Sequence, residues 1–331
     1  MAQSVAIGID LGGTNLKVAA VDGNGRIVAQ HARPVNAERG PDVVVTDIAQ
    51  VVGDTLSGLT LTRSNVVGVG VGTPGPLNIS AGRVIKAANL PGWKDVPLRD
   101  LLADSLSLPV SLDNDGNAAA YGEYWAGAGR GTENLVMLTL GTGVGAGVIL
   151  DGQFLHGYFD NAGELGHMIV ETNGVQCSCG QRGCLEQYAS AAGVARRVVA
   201  AIKNGEDCAL TGQVESGLSI DASDVARCAG KSDAVCLRIW DEACLYLAIA
   251  CINIQHAYNP ARIVLGGGMS NAGSFLLERV KKFIQQHKWS LHDDIPDVAL
   301  ATLGYDAGVI GAAGLAWAAA SRAATVREWK S

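Results

Sequence analysis

The sequence predicts an α/β protein made of two related halves that face each other across a cleft. A chain of 331 residues has room for two domains of ordinary size. Residues 5–21 read as strand, glycine turn and strand, and residues 135–150 repeat this design in the second half. The chain contains 43 glycines, which indicates many tight turns and close backbone approaches of the kind that phosphate-binding loops require.

The first half combines short apolar runs with turn residues and two helical patterns. Apolar runs bounded by glycine, proline or asparagine predict strands, whereas apolar residues spaced three and four apart predict helices. Strands are expected at Val5–Asp10, Leu16–Val21, Ile27–Gln30, Val66–Val71 and Val110–Leu112, and helices at Val43–Ser57 and Asn117–Trp125. The segment Asp22-Gly23-Asn24-Gly25 is typical of a hairpin turn.

The second half repeats the pattern and adds more helices. Strands are expected at Leu135–Leu140, Ala146–Leu150 and Arg262–Leu265, and helices at Ala189–Lys203, Ala222–Cys228, Val235–Tyr258 and Gly308–Ala320. The longest apolar runs, residues 243–252 and 309–320, are shorter than the roughly 18 residues that span a bilayer. We therefore expect buried helices and no membrane association.

Composition and charge exclude several classes of protein. The net charge is −7 and no basic cluster offsets it, which argues against nucleic acid as a partner. The first four residues lack the charged region of a signal peptide. Five of the eight cysteines are scattered through helical patterns, an awkward number for disulfides, so a reducing cytoplasm is expected.

Four potential zinc ligands lie close together in the sequence: His167, Cys177, Cys179 and Cys184. Three thiolates and an imidazole form the closed tetrahedral ligand shell of a structural Zn²⁺, so one zinc ion per chain is expected. Glycines between the cysteines allow the chain to bend around one ion. The alternative is a buried histidine with three ordinary reduced cysteines.

Glu164 and Glu186 flank this ligand set, and a metal there would hold both carboxylates in fixed relative positions. The resulting pattern, Glu-x-Gly-His followed by Cys-x-Cys-Gly-x-x-Gly-Cys-x-Glu, resembles the ROK family (repressors, open reading frames and sugar kinases). The resemblance extends from Ile7 to about Trp317. It implies the actin-like, hexokinase-like ATPase fold, in which two α/β domains hinge over the substrates. The last helix of that family returns to the first domain, which places a small domain at residues 1–118 and 301–331 and a larger one at residues 119–300.

Three glycine-rich segments are similar to the nucleotide-binding loops of the family. The first contains Asp10, Gly12, Gly13, Thr14 and Lys17, the second Gly141, Thr142 and Gly143, and the third Gly267 and Gly268. Glycines let backbone N–H groups approach a phosphate, and Asp10 at a strand end can hold Mg²⁺ through water. Lys17 is either near the phosphates or a solvated strand residue. A Walker-type loop is excluded because Val225 replaces the glycine required before Gly230-Lys231-Ser232.

The segment from Asp113 to Glu123 resembles the catalytic segment of the family. It indicates Asp115 as the general base that takes a proton from a sugar hydroxyl during phosphoryl transfer. A helix N-cap is the alternative role for this aspartate, although Asp113 or Asn117 could cap equally well. The resemblance further implies a sugar site formed by Asn114, Asp115, Glu164, His167 and Glu186, with Gly75 and Asn89 closing one side.

The expected function is therefore an ATP-dependent hexose kinase that uses Mg²⁺ and contains a structural zinc. The segments Thr73-Pro74-Gly75-Pro76 and Asn89-Leu90-Pro91-Gly92-Trp93 resemble those of glucokinases more than those of N-acetylhexosamine kinases of the family, while kinases of N-acetylmannosamine, N-acetylglucosamine, allose, mannose or fructose stay open. Polyphosphate is a second possible donor. A repressor is disfavoured because a DNA-binding segment would precede Asp10, and a non-catalytic sugar sensor is disfavoured by the intact motifs. A homodimer or homotetramer is expected.

Overall fold

Two five-stranded sheets form the framework of the protein in a computed structural model, which describes residues 4–59, 61, 63–87, 89–289 and 297–328. The first sheet contains β1 (Val5–Leu11), β2 (Asn15–Asp22), β3 (Ile27–Pro34), β4 (Val66–Thr73) and β8 (Val110–Asn114). A small three-stranded sheet contains β5 (Leu77–Asn78), β6 (Arg83–Lys86) and β7 (Lys94–Val96). The second large sheet contains β9 (Leu135–Leu140), β10 (Val144–Leu150), β11 (Gln153–Phe154), β12 (Arg262–Gly266) and β13 (Asp297–Leu300).

The two large sheets have the same topology. Their strand orders are β3-β2-β1-β4-β8 and β11-β10-β9-β12-β13. In each, an antiparallel hairpin comes first, β1 with β2 and β9 with β10, and a parallel strand then pairs with the first strand of that hairpin. The repeated strand–glycine turn–strand pattern in the sequence thus corresponds to two matching hairpins.

Ten α-helices surround the sheets within the described residues. They are α1 (Pro41–Ser57), α2 (Leu98–Leu106), α3 (Asp115–Ala126), α4 (Glu186–Ala189), α5 (Ala191–Lys203), α6 (Thr211–Glu215), α7 (Ala222–Ala229), α8 (Ala234–Tyr258), α9 (Ser274–His287) and α10 (Ala307–Glu328). The strands and helices expected from the sequence are all present, whereas α2, α6, α9, β11, β13 and the small sheet were not anticipated. None of the helices in the described part of the chain is long and apolar enough to cross a membrane.

The last helix, α10, packs against β1, β4 and α3, and therefore completes the first half of the molecule. Its small residues permit this contact. A Cβ atom on Gly311 would lie only 1.6 Å from the carbonyl oxygen of Ala118 in α3, so only glycine allows the two helices to approach this closely. Helix α3 also packs against β10 of the second sheet, and the expected boundary at residue 118 falls inside it.

A loop from the second half binds the small sheet of the first half. The Asp160 carboxylate accepts a hydrogen bond of 2.9 Å from the Ile79 N–H, and the Asn161 side chain accepts one of 3.3 Å from the Leu77 N–H. These two contacts bridge the halves on one side of the cleft, next to the turn that contains Gly75.

Candidate active site

A cleft of about 780 Å³ lies between the two large sheets. Most of the residues expected from the sequence line it: Asp10, Gly75, Asn89, Asn114, Asp115, Gly141, Thr142, Gly143, Glu164, His167, Glu186 and Gly267. The first half contributes the carboxyl ends of β1, β4 and β8, and the second half contributes the glycine turn between β9 and β10. The cleft therefore collects polar groups from segments that are far apart in the sequence.

Asp115 lies at the junction of β8 and α3, as the first residue of the helix. The capping role belongs to its neighbour, because the Asn114 side chain accepts a hydrogen bond of 2.8 Å from the Gly116 N–H. Burial raises the pKa of Asp115, while hydrogen bonds from the Gly116 N–H and the Asn114 side chain act in the opposite direction. A carboxylate with a raised pKa is a better proton acceptor than one with an ordinary pKa.

Asp113 and His156 support this junction from behind. Asp113 is only 3% exposed and accepts hydrogen bonds from the Asn114 N–H (2.8 Å), the Asn117 side chain (2.7 Å) and the His156 Nε2 (2.8 Å). The hydrogen bond with Asp113 raises the pKa of His156, although burial acts in the opposite direction. Neither Asp113 nor Asn117 caps α3, in contrast to the alternative considered from the sequence. His156 follows no recognisable motif, so its role could not be predicted.

Four carboxylates share the cleft: Asp10, Asp115, Glu164 and Glu186. The pKa of Asp10 is raised to about 6, mainly by burial and also by the nearby charge of Asp115, while Lys17 acts in the opposite direction. Burial also raises the pKa of Glu164, with additional contributions from Asp115 and Glu186 that His167 partly offsets. So many acidic groups in one partly buried space favour the binding of a cation, since a positive ion relieves their mutual repulsion.

The first glycine segment forms a tight hairpin in which the Gly12 N–H donates to the Asn15 carbonyl oxygen at 2.9 Å. Asp10 reaches the cleft, whereas Gly12, Gly13, Thr14 and Lys17 are not among the residues that line it. The ammonium group of Lys17 donates to the Tyr305 carbonyl oxygen at 2.7 Å and pairs with Asp306 at 3.1 Å. Lys17 is thus neither a free solvated side chain nor a lining residue; it joins β2 to the segment before α10.

The second glycine segment positions a carboxylate. Glu186 Oε2 accepts a hydrogen bond of 3.1 Å from the Val144 N–H, directly after the glycine turn. A Cβ atom on Gly143 would lie 2.2 Å from the same oxygen, so a side chain at this position would displace the carboxylate. The glycine that was predicted to approach a phosphate therefore also makes room for Glu186. In the third segment, Gly267 lines the cleft and Gly268 does not.

The structure brings the predicted zinc ligands together. The ligand atoms of His167, Cys177, Cys179 and Cys184 all lie within 4.8 Å of one another. Cys177 Sγ is 3.8 Å from His167 Nδ1, and Cys179 Sγ is 3.6 Å from Cys184 Sγ. These separations match the edges of a tetrahedron with metal–ligand bonds of about 2.0–2.3 Å, so the set fits a zinc ion. Since Nδ1 faces the cysteines, Nε2 of His167 is available to the cleft.

Sequence reasoning missed several lining residues. Asn161, Tyr305 and Gly308 all line the cleft. A Cβ atom on Gly308 would lie 2.8 Å from Asp10 Oδ2, so the first turn of α10 lies directly against this carboxylate. These residues follow irregular segments or begin a helix, and no periodicity or motif distinguishes them.

Comparisons with known proteins agree with this geometry. Residues 6–319 match the ROK family. The glucokinase of Halalkalibacterium halodurans is 40% identical over 92% of this chain and 92% of its own length. The structure of a ROK family glucokinase from Streptomyces griseus, in complex with glucose and AMPPNP, has a TM-score of 0.78 at 31% identity and covers 94% of this chain and 99% of its own.

A regulator is also structurally similar. A ROK family transcriptional regulator, a homologue of the E. coli MLC protein, has a TM-score of 0.83 at 25% identity, covering 96% of this chain and 79% of its own. The expected actin-like fold with two α/β halves is confirmed by these similarities. The fold is thus common to relatives of different function.

Proposed function

This chain belongs to the ROK family, and we propose that it is an ATP-dependent hexose kinase that converts glucose to glucose 6-phosphate. The observation that carries the proposal is the composition of the cleft described above, between the two large sheets. It combines a carboxylate with a raised pKa at a strand–helix junction, glycine turns from both halves and a set of polar side chains suited to a sugar. The similarity to glucokinases over nearly the whole chain supports glucose as the substrate.

In the proposed mechanism, Asp115 accepts the proton of a sugar hydroxyl while that oxygen attacks the γ-phosphoryl group. Phosphoryl transfer requires mainly positioning and neutralisation of charge, so one well-placed carboxylate is sufficient. Burial favours this step because it raises the pKa of Asp115. The Asp113–His156 pair keeps the β8–α3 junction in place and thereby positions Asp115.

Asn114, Glu164, His167 and Glu186 are proposed to hold the sugar by directional hydrogen bonds, with Gly75 and Asn89 at one side. Asp10 would hold Mg²⁺, which neutralises phosphate charge when bound. The glycine segments at Gly12–Gly13, Gly141–Gly143 and Gly267–Gly268 are proposed to contact the nucleotide, together with Thr14. Because Lys17 is paired with Asp306, we assign it a role in positioning the segment before α10.

We also propose that His167, Cys177, Cys179 and Cys184 bind a structural zinc ion. The four ligand atoms lie within 4.8 Å of one another, and Glu186 follows the last cysteine by two residues. Metal ligation through Nδ1 fixes the imidazole tautomer, so that Nε2 carries a proton and donates to the sugar. Loss of zinc would release His167 and Glu186 together and weaken sugar binding.

A coupled assay of ADP release across a panel of hexoses tests the proposal. Glucose should be phosphorylated faster than mannose, fructose, allose, N-acetylglucosamine or N-acetylmannosamine, and ATP should be a better donor than polyphosphate. Faster turnover of an N-acetylated sugar would contradict glucose as the substrate but not the kinase activity. Sugar binding without turnover of any hexose would instead favour a sensor, the alternative suggested by the similar regulator.

The Asp115→Asn variant tests the assignment of the base. Turnover should fall by about 10²–10⁴-fold because the amide cannot accept a proton, while glucose affinity stays within a few-fold. Asp104→Asn is the matched control, since Asp104 is exposed on α2 and is not among the residues that line the cleft. A variant at position 115 that retains most of its turnover would contradict this role.

The arrangement of domains is also a proposal. Residues 1–118 and 301–331 are proposed to move against residues 119–300 when glucose binds, because a ligand held by both halves favours the closed state. Small-angle scattering with and without glucose measures this change. The expected homodimer or homotetramer and the cytoplasmic location stay predictions, of which light scattering tests the first.

A further inference from the structure

A second cluster of potential metal ligands lies in the helical part of the second half, remote in sequence from the first zinc set. Cys208, Cys228, Asp233 and Cys236 each direct one ligand atom to a common point, and these atoms all lie within 4.8 Å of one another. The three cysteines are at most 6% exposed, and Asp233 is partly buried. The sequence suggested only scattered reduced cysteines here.

The distances within the cluster agree with tetrahedral coordination. Cys208 Sγ lies 3.6 Å from Cys236 Sγ and 3.6 Å from Asp233 Oδ1. A tetrahedral Zn²⁺ with bonds of about 2.3 Å to sulfur and about 2.0 Å to oxygen separates two sulfurs by about 3.8 Å and a sulfur from an oxygen by about 3.5 Å. The sulfur–sulfur separation also equals that between Cys179 and Cys184 in the first set.

The carboxylate of Asp233 is oriented by its surroundings. Its Oδ2 accepts a hydrogen bond of 2.8 Å from the Ala209 N–H, and its Oδ1 accepts one of 2.9 Å from the Cys236 N–H at the start of α8. Hydrogen bonds of this kind orient metal ligands, and carboxylates that bind metals are commonly held by such bonds. Oδ1 retains a lone pair for a metal.

A disulfide explains the cluster less well. The Cys208–Cys236 separation of 3.6 Å is far longer than a disulfide bond of about 2.05 Å. Such a bond would also leave the third buried thiol, Cys228, without a reason to lie at the same point. We propose that Cys208, Cys228, Asp233 and Cys236 bind a second structural Zn²⁺, distinct from the ion at His167.

The proposed ion would connect three separate segments. Cys208 precedes α6, Cys228 lies in the last turn of α7, and Asp233 and Cys236 begin α8. Helix α8 forms the centre of the larger hydrophobic core, which includes the fully buried Trp240. The ion would therefore stabilise the irregular connections on one side of this core.

Metal analysis of the full-length protein, purified without added zinc or chelator, tests the proposal. Wild type should contain about two zinc ions per chain, one for each four-ligand set. Cys236→Ser should contain about one, and the combination of Cys236→Ser with Cys184→Ser none. Cys244→Ser is the matched control, because it removes a fully buried thiol from the same helix outside the cluster and should retain both ions.

The Cys184→Ser variant leaves the second cluster unchanged, so it tests the site even if Cys236→Ser fails to fold. It should retain about one metal ion per chain, and with Co²⁺ it should show sulfur-to-metal charge-transfer absorption. A wild type with one zinc ion that is lost entirely in Cys184→Ser would overturn the proposal. Detection of a Cys208–Cys236 disulfide by mass spectrometry in the purified wild type would overturn it as well.

Discussion

Replacement of Asp10 by asparagine should stabilise the protein in the absence of ligands while removing its activity. The pKa of Asp10 is raised from 3.8 to about 6, mainly by burial and by the neighbouring charge of Asp115. Each pKa unit corresponds to about 1.4 kcal/mol, so ionised Asp10 costs the folded state up to about 3 kcal/mol when no cation is bound. An amide of the same shape avoids this cost.

The pH dependence of the effect follows from the direction of the pKa change. Above the folded pKa of about 6, Asp10 is ionised in both states and the full cost is present. As the pH falls, the folded state takes up its proton first, and the cost disappears by about pH 4, near the unfolded value. The stability gained by Asp10→Asn should therefore be large at about pH 8 and small at about pH 4.

Urea unfolding followed by tryptophan fluorescence measures this difference. Asp104→Asn, which makes the same chemical change at an exposed site, should leave stability nearly unchanged at both pH values. Addition of Mg²⁺ and ADP should stabilise the wild type more than Asp10→Asn, because the variant lacks the proposed metal ligand. Equal or lower stability of Asp10→Asn at about pH 8, or a gain that persists at about pH 4, would refute the reasoning.

Two further predictions concern residues that position the site. Gly143→Ala should displace Glu186 and lower glucose affinity about 10–100-fold, as expected for loss of a hydrogen bond to a charged group. Isothermal titration calorimetry measures the affinity. Gly141→Ala is the control and should leave glucose affinity unchanged, because a Cβ atom there meets no atom within 4 Å. His156→Gln should lower the free energy of unfolding more at about pH 6 than at about pH 9. The pKa of His156 is raised above 6.5 by Asp113, so its contribution is present below this value and is lost as the pH rises through the folded pKa. Equal losses at both pH values would contradict a charged His156–Asp113 pair.

Local patterns predicted much of this molecule because they depend on neighbouring residues. Glycine turns, apolar runs and the closely spaced ligands at residues 167–184 can each be recognised within a short window of sequence. The family and the fold inferred from these segments are confirmed by the comparisons. The position of Asp115 at a strand–helix junction could likewise be predicted, because the patterns of a short strand and a helix meet there.

Long-range contacts could not be predicted in the same way. His156 bonds to Asp113 across 43 positions, and Lys17 bonds to Asp306 across 289. Which partner a charged side chain meets depends on how the two halves pack, and this is not encoded in its neighbours. Likewise, Cys208, Cys228 and Cys236 form no closely spaced pair in the sequence, so no metal-binding motif marked them.

The contact of α10 with the first sheet also has a consequence for synthesis of the protein. During translation the strands of the first sheet appear early, but the helix that covers one of their faces appears only after the whole second half. Ala6, Ala19 and Val21 then remain uncovered until Val309 and Ile310 have been made. All strands of the second sheet, β9 to β13, follow one another in the sequence, so the second half can fold before the first half is complete. A transcript with a stop codon before residue 307 would therefore yield a folded second half attached to an incomplete, aggregation-prone first half.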